Sequence, residues 1–123
     1  MKFTRETPTT LTIHSVSDQE IRIGDAVYTN TIALTIDAVS DDWPAKALAD
    51  LVEDDFSRLL ADNPEIIVLG TGTANQFPPR ELVFAMARRG VGFEVMNTRA
   101  AARTFNVLAS EDRRVTAVLY VGT

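Results

Sequence analysis

The stretch Ile66-Ile67-Val68-Leu69-Gly70-Thr71-Gly72-Thr73 runs straight into Ala74-Asn75-Gln76-Phe77-Pro78-Pro79-Arg80-Glu81-Leu82. Four apolar residues ending at a glycine suit the central strand of a mostly parallel sheet, covered on both faces. A Gly/Thr loop follows, then a helix opened by prolines, with Pro79 at its start. The loop therefore lies at the carboxyl end of its strand, where open α/β sheets place ligands. The following helix aims backbone N–H groups and its positive dipole end at that loop.

Downstream, Leu82, Val83, Met86 and Ala87 give the helix an apolar face and Gly90 serves as its C-terminal cap. Gly92–Met96 reads as a short strand. Thr98 is placed to cap the next helix, in which Ala101, Ala102, Phe105 and Leu108 face inward. Glu111–Arg114 turns the chain into a last strand, Val115–Val121. The order β-α-β-α-β assembles a parallel sheet through right-handed crossovers.

Upstream, Thr10–Val16 alternates, with Leu11 and Ile13 on one face and Thr10, Thr12 and His14 on the other. Glu20–Ile23 alternates again, and Ala26–Asp37 is the longest β-like run, so residues 10–37 predict three antiparallel strands. Trp43 is expected to anchor the following crossover in the core. A helix is expected over 52–62, opened by Glu53-Asp54-Asp55 and stopped by Asn63-Pro64, with 45–51 as a short turn. Residues 1–9 read as a flexible arm. The fold class is a single three-layer α/β domain over residues 1–123, with the N-terminal antiparallel strands and the C-terminal unit forming a central mixed sheet.

A chain of 123 residues with 46% hydrophobic and 24% charged residues can bury a core without staples. It has no cysteine and one histidine, His14, which removes disulfides and thiolate sites and leaves a histidine-built metal or triad site without ligands. No apolar run approaches the roughly 20 residues of a membrane span, and no signal peptide is legible at the start, so a cytoplasmic protein is expected. The net charge is −5 but uneven. Residues 1–65 hold 5 Lys/Arg against 13 Asp/Glu, a balance of −8; residues 66–123 hold 7 against 4, a balance of +3. The acidic whole argues against nucleic acid as a partner. The basic second half favours an anionic ligand or an acidic partner surface near the loop, unless its arginines are simply solvated.

Gly70-Thr71-Gly72 fails as a dinucleotide fingerprint, because Asn75 stands at the third glycine and Asn97-Thr98-Arg99 lacks the acidic follower. It fails as a P-loop for want of Gly-Lys-Ser/Thr. Two uses remain open: backbone N–H groups with the Thr71 and Thr73 hydroxyls could receive a phosphate or carboxylate, or the glycines merely permit a tight turn. Arg103, Thr104 and Asn106 are expected at the same sheet edge, with Asn106 alternatively satisfying loop backbone. No acid–base pair or nucleophile motif is legible, and no cofactor is called for.

Leu69–Gly72, Phe77-Pro78-Pro79, Gly92–Thr98 and Ala102–Leu108 together resemble, in order and spacing, a family of small uncharacterised domains. That family includes the mitochondrial complex I assembly factor 3, an adipogenesis-associated cytosolic relative and many bacterial and archaeal orphans. The resemblance covers Ile13 to Tyr120. It implies a three-layer α/β domain and, for eukaryotic members, protein-complex assembly without an established enzymatic activity. Relatives often carry cysteine where this chain has Ala102, so thiol chemistry does not transfer. The expected function is a binding or assembly module with a protein partner, the alternative being a small-molecule protein for an anionic ligand at Gly70–Thr73. The candidate surface comprises Gly70, Thr71, Gly72, Thr73, Gln76, Arg80, Thr98, Arg103, Thr104 and Asn106.

Overall fold

Ile66–Leu69 carries no polar side chain, and such a strand is stable only where both faces are covered. The computed structural model, which describes residues 11–74 and 76–122, places it so. Strand β6 (Ile66–Gly70) lies parallel between β7 (Gly92–Met96) and β8 (Val115–Leu119). Two N-terminal strands, β4 (Ile32–Leu34) and β5 (Val39–Ser40), complete a five-stranded mixed sheet in the order β5-β4-β8-β6-β7, with β4 antiparallel to β8. The expected arm at residues 1–9 lies outside the described residues, as do Thr10 and Asn75.

The strands β1 (Ile13–Val16), β2 (Ile21–Ile23) and β3 (Ala26–Tyr28) pair antiparallel in a sheet of their own. Here the expectation of one long strand over 26–37 is corrected. β3 exposes Ala26 and Val27, as a small outer sheet allows, whereas Ile32, Ala33 and Leu34 are all buried. A strand buried on both faces needs an interior position, so the chain bends at Asn30 and β4 joins β8.

One side of the mixed sheet is covered by α3 (Thr98–Ser110) and the small sheet, through Ala101, Phe105, Ile13, Ile21 and Val68. The other is covered by α2 (Arg80–Arg88) and the segment 43–60, through Leu82, Met86, Phe56, Trp43, Ile67 and Leu69. That segment departs from the expected helix over 52–62. It forms a 3₁₀ turn at Leu48–Asp50, another at Glu53–Phe56, and only one α-turn, α1 (Ser57–Leu60). The Asp55 carboxylate accepts the Val52 N–H at 2.9 Å, tightening the start, and Asn63 turns the chain out at φ 52°. As expected, Trp43 anchors the crossover: its ring meets Phe56 edge-on at 5.2 Å, and Phe56 meets Phe93 at 6.0 Å. Pro79 is the N-cap of α2, one residue before Arg80, and Gly90 follows the helix at φ 73°.

Side chains of α3 tie the small sheet down: Arg99 donates to the Val16 carbonyl at 2.7 Å, and Asn106 grips Ile13. The Asn106 amide accepts the Ile13 N–H and donates to the Ile13 carbonyl, both at 2.9 Å. Asn106→Ala leaves both backbone groups unmatched, with an expected loss of about 1–3 kcal/mol. Hydrogen exchange checks it: protection is expected to fall first in β1–β3 and to persist in β6 and β8.

Candidate functional site

The Gly/Thr loop joins the carboxyl ends of β6 and β8 to the start of α3. Gly70 closes β6, and its carbonyl accepts the Tyr120 N–H at 2.9 Å. The Thr71 N–H donates to the Met96 carbonyl at 2.9 Å, the Gly72 N–H to Thr98 Oγ1 at 2.8 Å, and the Thr73 N–H to the Gly122 carbonyl at 3.0 Å. Thr98 Oγ1 donates onward to the Tyr120 carbonyl at 2.6 Å. The Thr71 hydroxyl donates to Ala74 O at 2.6 Å. The loop N–H groups that were to receive an anion are thus engaged within the chain, and Thr71 and Thr98 are buried.

Thr98 is not the cap expected of it. Asn97 caps α3, accepting the Ala100 N–H at 2.9 Å, because the Thr98 hydroxyl is drawn between two strand ends. The remaining candidates separate. Thr73, Gln76 and Arg80 are exposed along the loop and the start of α2. Arg103 and Asn106 do share a helical flank, but that flank meets β1, where they line a recess of about 190 Å³ with His14. The Thr104 hydroxyl, half-buried, donates to Met96 Sδ at 3.4 Å. The small sheet, rather than the Gly/Thr loop, is the neighbour of Arg103 and Asn106.

A groove of about 700 Å³ opens beside the loop, walled by Trp43, Lys46, Leu48, Gln76 and Tyr120. Only Gln76 and Thr71 of its lining belong to the surface expected from sequence. The rest comes chiefly from connecting segments, residues 30–31 and 41–48, that carry no periodic signal, although Tyr120 follows a strand parallel to β6 and so falls at the same sheet edge. The Tyr120 hydroxyl donates to the Lys46 carbonyl at 3.0 Å. Burial pushes its phenol pKa up, with the nearby Asp55 charge acting in the same direction and the Trp43 N–H opposing, so the group stays neutral. The Trp43 indole N–H is buried without an acceptor at hydrogen-bond geometry, near the Tyr120 hydroxyl though it lies. Lys46 Nζ is held by Asp55 at 2.8 Å.

Burial raises the Asp55 pKa, but the Lys46 hydrogen bond, the Val52 N–H and the Lys46 charge outweigh it and hold the carboxyl below its ordinary value. A depressed carboxylate contributes stability above its unfolded pKa of about 3.9, lost as pH falls through the folded value. Asp55→Asn is expected to cost about 1–2 kcal/mol at neutral pH, Lys46 being one-third exposed. Its stability should also fall less steeply below about pH 4. Urea unfolding at stepped pH reads both; Glu65, held low by Arg113, and Asp42, held low by Arg58, leave a residual slope.

The sequence matches the model of the family described as "Protein of unknown function (DUF498/DUF598)" over residues 13–120. It is 32% identical over 118 residues to bovine "NADH dehydrogenase [ubiquinone] 1 alpha subcomplex assembly factor 3", covering 94% of this chain and 63% of that protein. It is 38% identical over 61 residues to a "13 kDa major membrane protein" of Francisella tularensis, half of each chain. The chain thus spans about half to under two-thirds of the length of these curated relatives. A solved structure of a Xanthomonas campestris protein superposes with TM-score 0.86 at 36% identity, covering 99% of this chain and 93% of that one. Among the described residues no helix is long and apolar enough to cross a membrane. With its matched residues running from the first strand to the edge of the last, this chain belongs to the family of unknown function DUF498/DUF598.

Proposed function

We propose that this chain is a protein-binding module that helps to assemble a larger complex and does not itself catalyse a reaction. The observation that carries the reading is its similarity, over nearly its whole length, to a protein named as a complex I assembly factor. Of the surface expected from sequence, Gln76 and Arg80 remain open to a partner, whereas Gly70, Thr71, Gly72 and Thr98 hold the sheet edge together. Native-level capture of the tagged chain from its own cells tests the proposal. The expected result is the same set of companions in every preparation, in a particle larger than the chain. Recovery of the chain alone would sink it.

The anionic-ligand alternative at Gly70–Thr73 loses its donors, since the N–H groups of Thr71, Gly72 and Thr73 already meet protein acceptors. A thermal-shift screen with nucleotides, phosphosugars and small carboxylates is expected to leave the melting temperature unchanged. A ligand at 100 times its Kd adds about 2.7 kcal/mol, so a shift of several degrees with any of these anions would reverse the ranking.

A further inference from the structure

Nine residues of α2 divide cleanly between core and solvent. Leu82, Ala85 and Met86 are buried. On the opposite side, residues four apart stack one turn above another, so Arg80, Phe84 and Arg88 form a single ridge, with Val83 and Ala87 beside it. Phe84 is 53% exposed and Val83 37%. Phe77, just before the helix, is 78% exposed, the most open large apolar side chain among the described residues. Large aromatics left in water are the informative exception to burial.

The charges on this ridge are also unanswered. Arg22, Arg58, Arg89, Arg99, Arg113 and Arg114 each pair with a carboxylate of the chain. Among the described arginines, only Arg80, Arg88 and Arg103 enter no ion pair. Two of these three bracket Phe84. The one acid of the helix, Glu81, lines the groove beside Leu51 and Val52, as does Arg88, with Asp50 and Glu53 across it but no ion pair formed to Arg88.

We propose that the Arg80–Phe84–Arg88 ridge, with Val83 and Phe77, is a docking surface for an acidic protein segment that sets an apolar side chain between carboxylates. This deepens the assembly reading and rests on it. An apolar residue of the partner packs on Phe84, while carboxylates one turn either side accept paired N–H bonds from the two guanidinium groups. A second copy is a poor occupant. Two α2 helices packed antiparallel about Phe84 would set Arg80 of each against Arg88 of the other. A lipid surface is also a poor one, because a nine-residue helix with so few exposed apolar side chains falls short of an interfacial anchor.

A randomised displayed-peptide library selected on the full chain tests the surface, with winners measured by fluorescence anisotropy. The expected winners place an aromatic or aliphatic residue among Asp and Glu. Their binding should weaken with added NaCl. It should also weaken at least about tenfold in both Phe84→Ser and the Arg80→Ala/Arg88→Ala double variant, and hold in Val107→Ser, a control at another exposed apolar site. The exposed sites keep the variants folded; should Phe84→Ser melt early, the arginine double variant decides. Winners without acidic bias, or binding indifferent to both α2 variants, overturn the proposal. So does self-association by sedimentation velocity that Phe84→Ser removes, or co-sedimentation with phosphatidylglycerol vesicles that it removes. Native companions retained by both variants would reject this surface while leaving the assembly reading standing; companions absent from the unaltered chain would reject that reading itself.

Discussion

Phe56→Ala is expected to cost about 3–5 kcal/mol, a large part of the 5–15 kcal/mol that holds a domain of this kind together. Phe56 is fully buried and is the middle ring of a chain of edge-on contacts from Trp43 to Phe93. Its removal opens a cavity where the 3₁₀ segment meets the sheet. Trp43 is the sole tryptophan, so its emission reports the site directly. Urea titration followed by that emission should show an early midpoint and a native-state red shift. A variant within 1 kcal/mol of the parent would mean that the segment carries little of the core. Because Tyr120 and Lys46 line the groove beside the same rings, the loss should also loosen the groove wall before global unfolding.

Gly70→Ala is the second large effect, and here the cause is crowding. A Cβ at Gly70 would stand 2.9 Å from Leu119 Cδ2, 2.9 Å from Thr98 Oγ1 and 3.0 Å from Thr98 Cα. The leucine tip can yield, but the Thr98 backbone is the first turn of α3 and its hydroxyl links Gly72 to Tyr120. An added methyl therefore disturbs the joint between two strands and a helix, at an expected cost of about 2–3 kcal/mol. Calorimetry of the variant measures it. Gly90→Ala provides the contrast: its Cβ meets nothing within 4 Å, and any loss there comes from the left-handed backbone at φ 73°. A Gly70→Ala melting temperature equal to the parent's would refute the close-packing account.

The parts legible from sequence were those with a local signature. Ile66–Leu69 announces a doubly covered strand, Gly90 a helix end, and Ala101, Ala102 and Phe105 an inward helical face. The division of residues 26–37 was not legible, since alternation reports that a segment is extended but not which sheet receives it. Only the complete burial of Ile32–Leu34, a consequence of tertiary position, separates β4 from β3. The fate of Arg103 and Asn106 turns on the same point: once the small sheet is known to pack on α3, their flank belongs to β1. Trp43, Lys46, Asp55 and Tyr120 meet across long sequence separations, with no period to announce them. In the loop, residue types alone left anion binding and tight packing equally open; the hydrogen bonds of Gly72 and Thr98 favour packing.

β8, the last strand described, is the middle strand of the mixed sheet, with β4 on one side and β6 on the other. A ribosome making this chain therefore releases Ile32–Leu34 and Ile66–Gly70 well before the segment that unites them. Until Val115–Leu119 emerges, two of the most water-averse segments wait without their shared neighbour. Joining β4 to β6 therefore waits on β8, a long-range pairing of the kind that slows folding.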